Sequence, residues 1–305
     1  MEASLAPSAA SALLLLVLGA PVVIGVIWKT KAIIAGRRGP PPWQLYADLW
    51  KLARRGVVYS TTTTWIFRLA PVMLVTTTLV AAMLLPLDGR ASLLRFAGDA
   101  VAFAYLLALG RFLLVLASLD TGSSFEGMGA SREVTFASVV EPGLFIAIAA
   151  LAVMAQDLSL SAMLGGDARA VNAMTVSVMV AGSVFMLALA ECSRVPVDDP
   201  ATHLELTMVH EVMVLDHSGP DLAMVLYANA LKLALFAGII VNVVAPHPRA
   251  GGWSGLALLV ASFVAMGVAV GIVESIMARL RLPKVPLYIA ASSALALFGL
   301  VLLLR

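Results

Sequence analysis

The sequence predicts an all-α integral membrane protein of about eight transmembrane helices, with one further amphipathic helix at the membrane surface. Of its 305 residues, 61% are hydrophobic and only 12% are charged, whereas soluble domains are about 45–50% apolar and about 25% charged. Long apolar stretches recur along the whole chain, and Lys and Arg collect in alternate loops. We therefore expect lipid to be the solvent for most of this chain, which forms a single transmembrane domain over residues 1–305.

The individual transmembrane helices are predicted from length and hydropathy. A helix needs about 20 mostly apolar residues to cross the hydrocarbon core of a bilayer. Eight windows satisfy this requirement, at residues 8–28, 65–86, 99–119, 136–156, 172–191, 222–245, 254–275 and 285–304. The first window lacks the basic leader of a signal peptide and is followed by Lys29 and Lys31, so we interpret it as a retained helix.

The distribution of basic residues predicts which side of the membrane each loop faces. Lys and Arg close to membrane helices stay on the cytoplasmic side. The loop after the first helix carries a dense group of them, namely Lys29, Lys31, Arg37, Arg38, Lys51, Arg54 and Arg55. The opposite side carries Arg90, Arg95, Arg169, Arg249 and Arg305. We therefore expect both termini outside, structured cytoplasmic loops at residues 29–64 and 191–221, and a location in the inner (plasma) membrane.

A surface helix is predicted within the first cytoplasmic loop. Three prolines follow Gly39 and stop the preceding helix, because proline lacks an amide donor. Beyond them Trp43, Tyr46 and Trp50 recur at helical spacing opposite charged residues, which is typical of a helix lying in the membrane interface. The sequence leaves two interpretations open, a simple topological anchor or a brace for a docked subunit.

The composition excludes several classes of site. The single cysteine, Cys192, excludes an intramolecular disulfide and an all-thiolate iron–sulfur or zinc site built by this chain alone. The net charge of +2 gives no indication of a nucleic-acid partner. The glycine-rich segment 120–133 matches neither a P-loop nor a dinucleotide fingerprint, and we expect it to fold as a tight cap over a cavity.

Charged residues at membrane depth are the first candidates for function, because such charges are costly unless they pair or conduct. Glu141 lies in the fourth window and is followed by a Pro-Gly pair that loosens the helix. We expect a titratable carboxylate there, with a simple helix cap as the alternative. Arg111 and Lys232 are intramembrane cations that need counter-charges, and Glu141 and Glu191 are the candidates.

The segment 191–221 holds seven carboxylates and three histidines in a chain that is otherwise poor in charge. Interleaved apolar residues predict a re-entrant or interfacial helix capped by Asp199 or Thr202. The candidate proton-coupling residues of the chain are Glu141, Glu191, Asp198, Asp199, His203, Glu205, His210 and Glu211. A metal site is the weaker interpretation, because His203 and His210 lack the spacing of four that the zinc-protease motif needs.

Several of these segments resemble a known family. The stretch Glu191-Cys-Ser-Arg194-Val-Pro196-Val-Asp198-Asp-Pro200 is similar to the signature of the membrane subunit of respiratory complex I that is called subunit 1 in mitochondria, which reads approximately AETNRxPFDLPE. Segments 37–40, 119–123, 127–133, 141–142, 202–211 and 218–221 are similar to the version in energy-converting, membrane-bound nickel–iron hydrogenases, represented by formate hydrogenlyase subunit 4 and hydrogenase-4 component C. The resemblance covers nearly the whole chain.

The resemblance implies a non-catalytic membrane subunit of an oxidoreductase complex. Members anchor a peripheral arm that carries iron–sulfur clusters and, in hydrogenases, the nickel–iron site, and they transmit redox-driven protonation changes to antiporter-like subunits. No cofactor is therefore expected in this chain. The functional positions implied are Arg132, Glu141, Glu191, Arg194, Asp198, Glu205 and Glu211. The set that we assign to lining the cavity or docking a partner is Arg37, Arg38, Arg132, Glu133, Arg194, Arg279 and Arg281.

Three alternatives to hydrogenase-type coupling of proton or sodium movement remain. The first is the equivalent subunit of a respiratory NADH–quinone oxidoreductase, which forms a quinone site. Complex I has a carboxylate where His203 stands and lacks Asp199, and these departures favour the hydrogenase type. A stand-alone transporter is disfavoured because no internal repeat is visible, and a purely structural anchor is the last alternative.

Overall fold

The computed structural model describes residues 9–87, 92–165, 173–199, 208–244 and 253–304. Their helices are α1 (Ala9–Ile34), α2 (Gln44–Ala53), α3 (Trp65–Leu84), α4 (Asp99–Asp120), α5 (Ser124–Ala155), α6 (Leu160–Met163), α7 (Ala173–Glu191), α8 (His210–Met213), α9 (Gly219–Val244), α10 (Trp253–Ile276) and α11 (Val285–Leu303). Within the described ranges, eight helices are long and apolar enough to cross a membrane: α1, α3, α4, α5, α7, α9, α10 and α11. The predicted class, an all-α multi-pass membrane protein, is confirmed.

The helix α5 differs most from its prediction. It begins at Ser124, so most of the glycine-rich segment that we expected to form a separate cap is the first part of a membrane helix. Gly129 allows this part to pack tightly, because a Cβ atom there would lie 2.9 Å from the carbonyl oxygen of Val209. The helix also continues through Pro142 without interruption, so the expected loosening at that position does not break it.

The surface helix α2 agrees with its prediction. Leu45 is buried, while Trp43 and Trp50 are 66% and 61% exposed. The guanidinium of Arg54 lies 4.3 Å from the ring centroid of Trp50, a cation–π contact that holds the basic side chain beside the exposed indole. The helix therefore presents aromatic and basic side chains together, as a helix at the membrane interface does.

The helix α9 is the centre of the bundle. Of its transmembrane window, 67% is buried, against 28–50% for the other seven spans, and it packs against α1, α3, α7 and α10. A charged side chain on this helix is therefore surrounded by protein rather than by lipid. Lys232 is such a side chain, and it is 8% exposed.

Two glycines bring α10 close to α1. A Cβ atom on Gly267 would lie 2.7 Å from Val26, and one on Gly271 would lie 2.7 Å from Thr30. Small residues four apart allow membrane helices to approach closely and gain packing contacts. The approach also places Glu274, one turn beyond Gly271, beside the end of α1.

A buried histidine joins the first loop region to the segment before α9. The ring of His217 stacks on Phe67 of α3 with centroids 4.0 Å apart, and the residue is 3% exposed. Among the described residues, neither ring nitrogen of His217 has a hydrogen-bond partner. Burial lowers the pKa of His217 to about 4, so the side chain is neutral in the folded protein at neutral pH.

This burial predicts an acid-sensitive stability. An unfolded histidine has its pKa near 6.5 and takes up a proton below it, whereas folded His217 does so only near about 4. Stability is therefore lost as the pH falls from the unfolded pKa to the folded one, by about 2 kcal/mol at about pH 5. The variant His217→Phe keeps the ring stack and should lose less stability on acidification.

The measurement is the thermal midpoint of the solubilised protein at neutral pH and at about pH 5. Asp157→Asn, at an exposed carboxylate away from this junction, should behave like the wild type. Equal acid-induced losses in His217→Phe and the wild type would contradict the assignment.

Candidate functional site

Four charged side chains meet inside the bundle, one each from α4, α5, α7 and α9. One guanidinium nitrogen of Arg111 lies 2.6 Å from a carboxylate oxygen of Glu191, and the other lies 2.5 Å from a carboxylate oxygen of Glu141. The ammonium of Lys232 lies 3.4 Å from the second carboxylate oxygen of Glu191. Both intramembrane cations therefore have the counter-charges that were expected. We call these four residues the central cluster.

The charges of the central cluster are compensated by one another rather than by solvent. Arg111, Glu191 and Lys232 are each 8% exposed. Lys232 also donates to the backbone carbonyl of Glu191 at 3.4 Å, at the last residue of α7, where helix carbonyls lack partners within the helix. Because the buried charges compensate one another, removing Arg111 would leave Glu141 without the counter-charge that it has among the described residues.

Glu133 lies beside the central cluster. It lines a cavity of about 280 Å³ between α4 and α5 together with Arg111 and Glu141. Among the described residues it makes no ion pair or hydrogen bond, and its carboxylate interacts with Arg111 through charge alone. The side chain of Glu141 is 42% exposed at this cavity. The carboxylates of this face are therefore the ones that a neighbouring molecule or water can reach.

A second group of ion pairs lies where α1, α10 and the segment after α7 meet. The carboxylate of Glu274 is 1% exposed and lies 2.8 Å from Lys31 and 3.4 Å from Arg194. Arg279 lies 3.0 Å from one carboxylate oxygen of Asp198. We call these five residues the outer cluster.

Asp198 organises the chain around the outer cluster. One oxygen accepts the backbone N–H groups of Val209 and His210, each at 3.1 Å, while the other accepts the N–H of Asp199 at 2.9 Å. The expected cap of the helix in this segment was Asp199 or Thr202. Thr202 lies outside the described residues, so this expectation stays a prediction. The described part of the predicted re-entrant helix is the single turn α8, at whose start Asp198 binds the backbone.

A cavity of about 170 Å³ lies beside the outer cluster. It is lined on one side by the outer-cluster residues Lys31, Arg194, Asp198 and Glu274, and on the other by His210 and Asn229. His210 and Asn229 also line a smaller space of about 10 Å³, whose other walls include Arg111, Glu133, Glu191 and Lys232. A space of this size is about what one water molecule needs. His210 and Asn229 therefore line both spaces, of which one lies beside the outer cluster and the other beside the central cluster.

His210 differs from its expectation. We expected it to titrate near neutrality, but burial, together with the charges of Lys232 and Arg194, lowers its pKa to about 4. The side chain is therefore neutral at neutral pH. Cys192 at the same cavity is also inert, because burial raises the pKa of its thiol to about 12.

The residues that we assigned to lining the cavity or docking a partner lie in two different environments in the structure. Arg37, Arg38 and Arg281 are exposed, where a partner could reach them. Arg194 and Arg279 belong to the outer cluster, and Arg132 donates to the carbonyl of Met208 at 2.9 Å.

Two other expected positions line cavities. Glu133 lines the cavity of about 280 Å³ and the small space beside the central cluster, and Glu211 lines the cavity of about 170 Å³. His203 and Glu205 lie outside the described residues, so their roles and the metal interpretation stay predictions.

Sequence reasoning missed the inner positions of Lys31, Asn229 and Glu274. We used Lys31 as evidence for a cytoplasmic loop, and we expected Glu274 to lie at the surface of the last cytoplasmic loop. One signal was available for Glu274, because it lies within the seventh apolar window, where an acid is costly without a partner. Nothing in the sequence distinguishes Asn229 from other polar residues on α9.

Comparison with known proteins gives a consistent set of relatives. A family model described as NADH dehydrogenase matches residues 8–304. The chain is 35% identical over 255 residues to hydrogenase-4 component C of Escherichia coli (strain K12), covering 84% of this chain and 79% of that protein. It is 30% identical over 292 residues to formate hydrogenlyase subunit 4 of the same strain, covering 93% and 94%.

A solved structure has the same fold. A chain of the membrane-bound sulfane sulfur reductase, an archaeal respiratory membrane complex, superposes with a TM-score of 0.81 at 21% identity. The match covers 96% of this chain and 99% of that one. At this identity the likeness concerns the fold alone.

Proposed function

We propose, starting from the fact that this chain belongs to the family described as NADH dehydrogenase, that it is the membrane anchor and coupling subunit of an energy-converting nickel–iron hydrogenase of the formate hydrogenlyase type. Its partners would be the hydrogenase large and small subunits, an iron–sulfur protein and antiporter-like membrane subunits. The relatives named as hydrogenase components support this assignment over most of the chain.

The cofactors of such a complex would belong to the partners. Iron–sulfur clusters need several thiolates, and this chain has one cysteine, Cys192, which is buried. When bound in the peripheral arm, the clusters and the nickel–iron site would supply electron transfer and hydrogen chemistry. This chain would supply the surface below them, with the exposed Arg37, Arg38 and Arg281 on the predicted cytoplasmic side as docking residues.

The observation that carries the proposal is that His210 and Asn229 line both the cavity beside the outer cluster and the small space beside the central cluster. Negative charge arriving above Arg194 and Asp198 raises the proton affinity of acids below it. His210, which lines both spaces beside Asn229, takes up a proton at one ring nitrogen and releases one from the other toward Glu133 and Glu191. A proton on either carboxylate weakens the hold on Arg111, so the charge balance of the whole cluster changes.

The energies involved are compatible with this role. Moving one charge through a membrane potential of 100 mV requires about 2.3 kcal/mol. A pKa change of one unit corresponds to about 1.36 kcal/mol. A redox event that shifts one carboxylate of the path by about two pKa units is therefore sufficient to drive one proton against that potential.

The exposed carboxylate of Glu141 indicates where the path continues. A carboxylate at membrane depth that is 42% exposed would be costly against lipid. A neighbouring membrane subunit with a polar side chain opposite α4 and α5 would satisfy it. This face is where we place the antiporter-like partner, to which the protonation change is passed.

The test of the proposed function is the composition and activity of the native complex. The tagged chain is purified from its own membranes in mild detergent, and copurifying nickel, iron, flavin and hydrogen evolution are measured. Nickel with hydrogen evolution supports the proposal. Flavin with inhibitor-sensitive quinone reduction, and no nickel, would decide for the respiratory NADH–quinone oxidoreductase.

The volume of the cavity beside the outer cluster helps to distinguish the hydrogenase type from the NADH–quinone oxidoreductase type. Sites for drug-sized organic ligands usually enclose about 300–1,000 Å³. The cavity below the outer cluster encloses about 170 Å³ and is lined by several charged side chains. Such a space suits water and protons better than a quinone ring, which favours the hydrogenase type.

A further inference from the structure

The arginine in the turn after α7 is buried but only weakly paired. Arg194 is 7% exposed and lines the cavity of about 170 Å³. A guanidinium carries five N–H donors, yet among the described residues its side chain has one partner, a carboxylate oxygen of Glu274 at 3.4 Å. That distance exceeds the usual range of about 2.7–3.2 Å for an N–H···O hydrogen bond. Most of the hydrogen-bonding capacity of this arginine is therefore unused.

Three further donors in the same wall also have unused capacity. The ammonium of Lys31 has three N–H donors, and its partner in the described part of the chain is Glu274 at 2.8 Å. Neither the amide of Asn229 nor the hydroxyl of Ser193 has a hydrogen-bond partner among the residues that the structure describes. The cavity wall therefore has donors available on α1, on α9 and on the turn after α7.

The carboxylates of this wall are already occupied. Each oxygen of Glu274 faces a cation, and the oxygens of Asp198 accept three backbone N–H groups and contact Arg279. Glu211 also lines the cavity and adds a negative charge to its wall. Spare donors next to a wall of nearly balanced charge favour a ligand that accepts hydrogen bonds and carries a single negative charge, rather than one with two.

The backbone at Ser193 is an independent indication of a site. The N–H of Ser193 donates to the carbonyl of Ala190, and the N–H of Arg194 donates to that of Leu189, which is the Schellman pattern of a helix end. Glycine is the usual residue at the left-handed position of this pattern, but here Ser193 adopts it with a φ of 50°. Backbone strain of this kind clusters at functional sites. Glycine would relieve the strain and remove a hydroxyl from the cavity wall.

We propose that the cavity binds a small carboxylate-like monoanion, of the size of acetate or bicarbonate, with Arg194 as its principal ligand and Lys31, Asn229 and Ser193 as further donors. A guanidinium binds a carboxylate through two parallel N–H···O bonds. One water molecule needs about 10–15 Å³ of cavity volume, so a cavity of about 170 Å³ has room for an anion of four heavy atoms. This inference is independent of the proposed hydrogenase function, because it concerns only what the cavity binds.

A bound monoanion would change the charge beside His210. The positive charge of Arg194 is one of the causes that lower the pKa of His210. An anion on the guanidinium offsets that charge, so the histidine accepts a proton more readily. Occupancy of the cavity would therefore control the proton affinity of His210.

The test uses radiolabelled acetate and the intact complex purified from native membranes. Equilibrium dialysis at constant ionic strength, with chloride replacing acetate, measures saturable binding. Cys192 is a local reporter, because the single cysteine of the sequence lines the same cavity. Bound acetate should slow its modification by N-ethylmaleimide, measured by mass spectrometry of the peptide that contains it. Both measurements should give the same half-saturating concentration.

Ser193→Gly is the most informative variant. Glycine adopts the left-handed backbone without strain, so this variant should assemble like the wild type. It should bind acetate about tenfold more weakly, because it lacks one hydrogen bond to a charged group. Arg194→Lys keeps the positive charge beside Glu274 but loses the planar fork, and it should weaken acetate binding at least as much.

Two controls accompany these variants. Ser60→Gly removes the hydroxyl of an exposed serine in the first loop and should leave acetate binding unchanged. Acetamide has the shape of acetate without its charge and should not protect Cys192. The anion site is overturned if acetate shows no saturable binding, if assembled Ser193→Gly binds it with wild-type affinity, or if acetamide protects Cys192 as well as acetate does.

Discussion

Replacing Arg111 with glutamine is expected to prevent stable assembly of the complex. Arg111 holds Glu141 at 2.5 Å and Glu191 at 2.6 Å. Among the residues that the structure describes, only Glu191 has a second cation, Lys232. The substitution strands a carboxylate at membrane depth. Breaking a buried ion pair by removing one partner costs about 3–5 kcal/mol, so we expect the assembled complex on native gels to fall more than about tenfold.

The double variant Arg111→Gln/Glu141→Gln tests the reason for that loss. It removes the stranded carboxylate together with the cation, so assembly should recover in large part. Arg281→Gln, at an exposed arginine, is the control and should assemble normally. Normal assembly of Arg111→Gln alone would show that the central cluster does not need its arginine.

Replacing Glu191 with glutamine is expected to separate hydrogen evolution from ion movement. Glutamine keeps the shape and hydrogen-bonding capacity of the side chain but cannot carry a proton. Arg111 keeps Glu141 as its partner, and Lys232 keeps the backbone carbonyl of residue 191 as an acceptor. Loss of a positioned proton-transfer group reduces rates about 100-fold or more. We expect ion uptake per hydrogen evolved, measured in inverted membrane vesicles, to fall by that order.

The control for this variant is a carboxylate away from the path. Asp157 is exposed and accepts the backbone N–H of Ser159 at 3.0 Å, so Asp157→Asn should keep the wild-type ratio. The amount of assembled complex is measured in parallel. An assembled Glu191→Gln complex with an unchanged ratio would assign the cluster a structural role only.

The fold was predictable because the bilayer imposes strong local rules. Helix length and hydropathy locate eight spans, and the family resemblance read from the motifs is confirmed by the comparisons. The start of α5 was not predictable in this way. Its first turns contain Gly127 and Gly129, which by propensity disfavour a helix, and the packing of Gly129 against Val209 depends on a part of the chain some 80 residues away.

The site was predictable in its members and less so in its arrangement. The cost of a buried charge showed that Arg111 and Lys232 must be paired, but the partners come from helices 30 and 80 residues away for Arg111. The position of Glu274 beside Lys31 depends on the contact of α1 with α10, and that of Asp198 depends on the approach of the backbone at residues 209 and 210. The low pKa of His210 depends on burial among cations, which no local pattern reports.

The most direct test is redox-triggered infrared difference spectroscopy of the purified complex, which observes carboxyl groups as the partner's clusters are reduced. If carboxyl groups of this chain take up protons when the clusters are reduced, a band of protonated carboxyl groups appears in the wild type and in Asp157→Asn. It should be missing in Glu133→Gln, whose carboxylate is not held by an ion pair or hydrogen bond among the described residues. An unchanged band in Glu133→Gln and in Glu191→Gln would contradict coupling through this chain.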